Sequence, residues 1–349
     1  MKKVLWISGL SALLAGSMYI WLNPEPQPPA VAPQPIERTA NEPVEAPVKK
    51  ATQPPQITVT EKVPQPISDS FKMLASAYAA ELELPPYSRL LSAEDDHLLN
   101  PNRYIPQSVP LEGGASAVIV LPKYRFSYPE AVPVTLQLDG LQATDVTVQL
   151  QHEHTAELTA SKEMRGSPQQ YTATLDADDS WNGAFEVQVS FSANGEHVVL
   201  KTGIEYHNPV ATIIGVGDSS AAGSDMQIPV QLEVKQAGFY RLRANLYTEQ
   251  RQPLALLSYT EKLNKGQQEL TLRAFKAVLQ NHSGPYILAS FVLEKRPAVP
   301  GELTQYGNSE QAEYQLDYFS LNQLSDEPWQ PDEQERQRLQ FLQQMADSP

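Results

Sequence analysis

The sequence predicts a mainly β protein: two tandem immunoglobulin-like β-sandwiches, preceded by an N-terminal transmembrane helix, a proline-rich linker and a short amphipathic helix. Three observations carry this. From Ser116 onward, short apolar runs alternate with a two-residue period, the pattern of strands with one buried face. Turn residues punctuate those runs at short intervals. Ahead of them stand a charge-free apolar run and then twelve prolines within residues 23–66, neither of which belongs in a β core.

Residues 1–22 are expected to be a signal anchor. Lys2 and Lys3 supply a positive flank, and residues 4–22 carry no charge. At ~1.5 Å per residue such a helix reaches ~28 Å, close to the ~30 Å hydrocarbon core. Trp6 near one end and Tyr19 with Trp21 near the other resemble interfacial belts. The expected location is the inner membrane, single pass, N-terminus cytoplasmic and the bulk of the chain periplasmic. Cleavage after Ala15-Gly16-Ser17, giving a secreted or periplasmic protein, is the alternative, and it would expose the apolar residues that follow. The absence of cysteine removes a lipid-modified cysteine, disulfides and thiol chemistry. A net charge of −15 repels phosphate backbones, so nucleic acid is excluded as a partner.

Residues 23–67 form the proline-rich, disordered linker of polyproline character, a tether rather than a fold. Residues 68–112 follow as a helix plus an extended strap. Phe71, Leu74, Tyr78 and Leu82 recur at helical spacing, Ser68 or Asp69 suits the N-cap, and Pro85-Pro86 stops the helix. The Tyr- and Leu-rich stretch behind it is too apolar for a free linker and is expected to dock on the first β domain. Residues 113–207 hold seven strand candidates, from AVIVLPKYRF to HVVLKTGIEY, with Asn194-Gly195 as the strongest hairpin signal and RGSP at 165–168 as a turn. Residues 208–322 hold about seven more, from VATIIGV to AEYQLDYFSL. The tail, 323–349, starts with prolines and ends in a short helix with Leu339, Leu342 and Met345 on one face.

Four stretches invite a chemical reading. IIGVGDSSAAGSD resembles the nucleophile block of GDS-type lipases and esterases, with Ser219 as nucleophile. That family needs a late Asp-x-x-His, and no histidine here has an aspartate three residues before it; the sequence after Ser219 reads as a strand where a helix is required. His152 and His154 are two apart, so on a strand they share a face, but two ligands do not define a metal site. Asp176, Asp178 and Asp179 cluster in DADDSWNG; counted from Asp176, Trp181 and Val187 stand where an EF-hand loop requires glycine and an acid. Phe239, Tyr240, Tyr247, Tyr259, Tyr286, Tyr314, Tyr318 and Phe319 crowd the second domain and could form a sugar platform.

Gly238-Phe239-Tyr240-Arg241-Leu242 with Ala244, followed by Gly284-Pro285-Tyr286, resembles strand and strand-entry patterns of the exported bacterial immunoglobulin-like domains of choice-of-anchor type. The resemblance spans residues 209–320. It implies a β-sandwich and brings no catalytic residues or cofactor. The expected function is therefore non-catalytic: a membrane-anchored envelope protein whose tandem domains bind another envelope protein as adaptor or assembly factor. A carbohydrate or envelope-polymer partner is the alternative, and a Ser219 hydrolase the remote one. The stripe Phe71, Leu74, Tyr78, Leu82 is the candidate binding surface.

Overall fold

The computed structural model describes residues 65–347. The anchor and most of the proline-rich linker lie outside the described residues. Among the described residues no helix is long and apolar enough to cross a membrane.

The protein is mainly β, with four sheets around two hydrophobic cores. The first core lies between two five-stranded sheets. One runs, in spatial order, Ser108–Pro110, Ser116–Val120, Val132–Asp139, Gln170–Leu175, Arg165–Ser167; the other Arg125–Ser127, Glu196–His207, Gly183–Ala193, Thr144–His152, Leu158–Glu163. Alternation explains the packing: Val132, Val134, Leu136 and Leu138 point inward from one sheet, and Val146, Val148 and Leu150 from the other. Phe185, Val187, Val189 and Phe191 complete it, with Trp181 edge-on to Tyr206 at 5.2 Å. The two-residue turn Asn194-Gly195 joins its strands with φ of 52° and 84°, as a type I′ hairpin requires.

Two expectations are corrected here. AVIVLPKYRF is two strands in different sheets, because Leu121-Pro122 breaks the run between Ser116–Val120 and Arg125–Ser127. RGSP is only in part a turn: Leu158–Glu163 pairs in one sheet, Met164 is buried at the crossing, Arg165–Ser167 pairs in the other, and the chain turns back one residue later than expected, at Pro168-Gln169.

The second core lies between a sheet built on Pro253–Leu263, Gly238–Thr248 and Tyr286–Lys295 and one built on Gly266–Phe275, Asp225–Val234 and Ala211–Val216. Short strands Gln305–Tyr306 and Glu313–Leu316 extend the first of these, and Asn308–Ser309 the second.

The strap docks in two parts: its leading part lies on the second body rather than the first, and its last part joins the first body as the sequence suggested. Helix α1 (Gln65–Glu81) packs on the C-terminal helix; Ser88–Leu90 then adds a strand to the free edge of Pro253–Leu263, pairing Ser88 with Leu257 and Leu90 with Ala255. Ser88 Oγ accepts the Phe275 N–H at 3.0 Å from the facing sheet, Leu91 N–H bonds the Leu254 carbonyl, and Leu91 is 2% exposed. Helix α2 (Asp96–Leu99) continues across the same body: Asn245 and Ser290 donate to the Leu98 and Leu99 carbonyls. Only the last part reaches the first body, where Asn102 bonds the backbone of Arg125 and Tyr104 bonds Thr202.

The helix face is corrected as well. Ser68 is no N-cap, since α1 starts at Gln65; its buried hydroxyl donates to the Ala346 carbonyl at 2.6 Å in helix α3 (Glu333–Asp347). The face turned to α3 carries Ser68 and Ala75, both buried, while Leu74 stays 53% exposed. Of the expected stripe, Phe71, Tyr78 and Leu82 are partly buried on this side of the helix, and Leu74 alone is exposed.

Between the bodies, Arg125 stacks on Tyr306 at 3.7 Å and donates to Glu205 Oε2 at 2.9 Å, with His207 Nε2 3.4 Å from the same oxygen. The His207 hydrogen bond, with that of Arg125, holds the Glu205 carboxyl down at about 2, against the opposing effect of burial.

Two predictions follow from this packing. Leu91→Ala should lower unfolding free energy by about 2–5 kcal/mol in a denaturant titration, while Leu74→Ala should stay within about 0.5 kcal/mol; comparable losses would mean the strap is not seated as described. For Glu205, the unfolded carboxyl takes up a proton near its ordinary 4.5 and the folded one only near 2. Its stabilisation is thus complete above about pH 4.5 and vanishes as pH falls toward about 2. The drop in melting temperature between about pH 5 and about pH 3 should shrink in Glu205→Gln; an unchanged drop would remove Glu205 from the acid response.

Candidate functional site

The residues singled out for chemistry are kept apart by the fold. His152 ends its strand and His154 lies in the following turn, so they do not share a strand face; their rings meet edge-on at 6.1 Å, and His152 leans on Phe185. Asp178 accepts the hydroxyl and backbone N–H of Ser180, which lowers its pKa, and Asp176 pairs with Lys162 at 3.2 Å. The Asp179 carbonyl accepts from Asn208 at the link between the bodies. DADDSWNG thus works as a turn that seats Trp181. Among the described residues, no group of three or more His, Cys, Asp or Glu is placed to hold a metal.

Ser219 sits beside a small hairpin in which Ser220–Ala222 pairs with the start of Asp225–Val234. The segment is therefore paired rather than a loose loop. Ser219 Oγ is buried and makes no hydrogen bond, so no base activates it. The aromatic platform dissolves too. Tyr240, Tyr286, Tyr314 and Phe319 are core residues. Phe239 and Tyr318 are exposed, but the register Thr248↔Tyr286 puts them near opposite ends of the sheet. A cleft of about 190 Å³ between the bodies has its cations engaged, Lys123 by Glu130 and Arg125 by Glu205.

The larger concavity lies elsewhere, where the strap, the second body and the tail meet. It measures about 670 Å³, within the ~300–1,000 Å³ span of ligand pockets. Four pieces of chain build it. Glu83 comes from the turn that ends α1. Phe275, Lys276 and Ala277 come from the end of a core strand and the 3-10 turn Lys276–Leu279. Gln280 and Asn281 follow in left-handed backbone, φ 49° and 62°, which turns both out of the 3-10 segment. Ser325, Asp326, Glu327, Pro328 and Trp329 come from the tail.

Local bonds fix this geometry. Ser224 Oγ contacts Ser325 Oγ and donates to the Glu327 carbonyl, and Ser325 N–H bonds the Gly223 carbonyl. Lys276 Nζ donates to Asp326 at 2.7 Å and to the Leu324 carbonyl at 3.0 Å. Trp329 stands edge-on to Tyr87 at 5.8 Å. Tyr87 donates to the Asp225 carboxylate and lies under Arg273 at 3.8 Å; burial, then the bond to Asp225, raises its pKa. The Trp329 indole N–H is buried without a partner.

Three properties follow. The lining is amphipathic, with Phe275, Ala277, Pro328 and Trp329 among carboxylates and amides. Its one lysine is already bonded to Asp326. It has no nucleophile with an assigned base. Such a groove offers apolar surface beside carboxylates and amides. Sequence reasoning missed it because its parts span residues 83–329 and no single part carries a motif. The proline punctuation of DEPWQPDE around Trp329 was the one available signal.

Comparison with known proteins places part of the chain. Residues 211–300 match the family model described as "Domain of unknown function (DUF4785) C-terminal domain". No curated protein matches the chain. Among solved structures, a DUF4785 family protein from Legionella pneumophila is 15% identical, with a TM-score of 0.41; the alignment covers 52% of this chain and about half, 53%, of that one. A tetra-tandem repeat from the extending region of a large adhesion protein aligns at 10% identity and TM-score 0.24, covering 60% and 55%. Escherichia coli alpha-2-macroglobulin aligns at 11% identity and TM-score 0.23, covering 58% of this chain and 20% of its own.

Proposed function

We propose that this chain is a non-catalytic protein of the bacterial cell envelope, anchored in the inner membrane by residues 4–22, that binds another envelope protein as an adaptor or assembly factor. In this reading residues 113–207 and 208–322 are tandem immunoglobulin-like sandwiches, and the proline-rich stretch sets their distance from the membrane. The observation that carries it is the amphipathic groove of about 670 Å³ at the strap–tail corner, which has binding groups and no assigned nucleophile–base pair. The charge-free run behind Lys2 and Lys3 supports the anchor, and the net charge of −15 supports a protein partner over nucleic acid.

Two measurements test this. After carbonate washing, the full-length protein should remain in the membrane pellet and retain its N-terminus; a soluble form starting near Met18 would indicate a cleaved signal peptide. A photo-crosslinking amino acid at Gln280 should give a discrete protein adduct in intact cells, with none from the exposed Val199 of the first body. Equal adducts from both positions would sink the groove as the binding face.

A further inference from the structure

The charges around the groove specify the partner more closely. Four charged side chains line it: Glu83, Lys276, Asp326 and Glu327. Lys276 and Asp326 neutralise one another. Arg273, the next cation, sits over the Tyr87 ring 3.7 Å from Asp225. No ion pair joins Glu83 or Glu327 to a cation among the described residues, so the groove presents two uncompensated carboxylates. Beside them stand Trp329 and Phe275. A carboxylate pair next to an indole suits a cationic side chain with an aliphatic stem: the charge meets the acids, the stem lies on the rings, and an indole face attracts a cation. The amides of Gln280 and Asn281 offer hydrogen bonds to a peptide backbone. The acidic surface as a whole draws cationic segments in.

Resting on the protein-binding reading above, we infer that the groove receives a short, extended, basic segment of the partner, with a lysine or arginine placed between Glu83, Glu327 and Trp329. An acidic or purely apolar segment would leave the two carboxylates buried without a countercharge, which is costly.

The test is an anisotropy titration of the full-length protein in detergent with two labelled probes, Lys-Leu-Lys-Leu-Lys and Glu-Leu-Glu-Leu-Glu. The basic peptide should bind at least about tenfold more tightly. The double variant Glu83→Gln with Glu327→Gln should lose about tenfold in affinity for it, with an unchanged melting temperature since both residues are exposed. Trp329→Phe should keep more affinity than Trp329→Ala. Glu153→Gln with Glu163→Gln, equally exposed but on the first body, should change nothing. Equal loss in that control pair, equal binding of the two probes, or preference for the acidic one would overturn the inference. A tenfold gain on replacing Lys49 and Lys50 with alanine would also overturn it, assigning the groove to the chain's own dibasic stretch. The broader reading fails separately. If the Gln280 crosslinked adduct persists in the Glu83→Gln, Glu327→Gln protein while the basic probe fails to bind, the partner is real and its chemistry is not basic. If no adduct forms at all, the protein-binding reading itself falls.

Discussion

The second core depends on a strand that arrives from outside the run of strands it completes. Pro253–Leu263 and Gly266–Phe275 turn back on each other at a corner where the two sheets part, and Ser88–Leu90 fills that corner. A fully buried polar side chain at such a place needs its bond made. Ser88, with no exposed surface, makes it across the corner to the Phe275 N–H, so one hydroxyl serves the strap and both sheets together. Leu84 and Leu91 seal the apolar side on either flank. Without the strap, an edge strand and the corner of a core would face solvent, the exposure that β proteins avoid.

The rest of the arrangement follows from that seat. Once Ser88–Leu90 is fixed, α1 must leave from the same corner, and the tail, held by Ser224 and Lys276, passes close enough for Trp329 to meet Tyr87. Helix α3 then returns to pack on α1 through Ser68, Ala75 and Ala346. The groove is the space enclosed by this circuit. Its walls come from both ends of the described chain and its floor from the second core, so binding there would bear on the strap as well as on the tail.

Local signals were legible and long-range ones were not. Strand alternation from Val132 to Leu138 and from Phe185 to Phe191 reads straight off the sequence, because a half-buried strand imposes its own period. Asn194-Gly195 reads equally well, since few residue pairs accept positive φ twice. The strap's destination is different: its chemistry, Tyr and Leu beside proline, says that it is buried but not against what, and the nearer body in sequence receives only its last part. The helix stripe was legible except at one position. Phe71, Tyr78 and Leu82 are partly buried on the side of Ser68 and Ala75, while Leu74, counted for its size, faces away from the small residues at the centre of the contact. A partner helix that allows close approach is invisible until the pairing is known. RGSP was read in part: its proline does open a turn back, at Pro168-Gln169, while Arg165–Ser167 before it is a strand that has just changed sheet across Met164.

The electrostatics of the corner bear on the charge preference proposed for the groove. Tyr87 is partly buried and donates to Asp225, and burial together with that bond raises the pKa of the phenol. The Asp225 side chain is mostly buried, and Arg273 pairs with it while stacking on the same ring. One layer out, Lys276 is held by Asp326 and by the Leu324 carbonyl, which it needs to keep the tail in place. Both cations are therefore committed to structure, and neither can swing to meet Glu83 or Glu327 without loosening the wall that carries it. The excess negative charge at the rim is fixed by the same bonds that shape the cavity. A cation brought by a partner would complete the corner's charge balance without disturbing a bond already made, whereas an anion would have to break one.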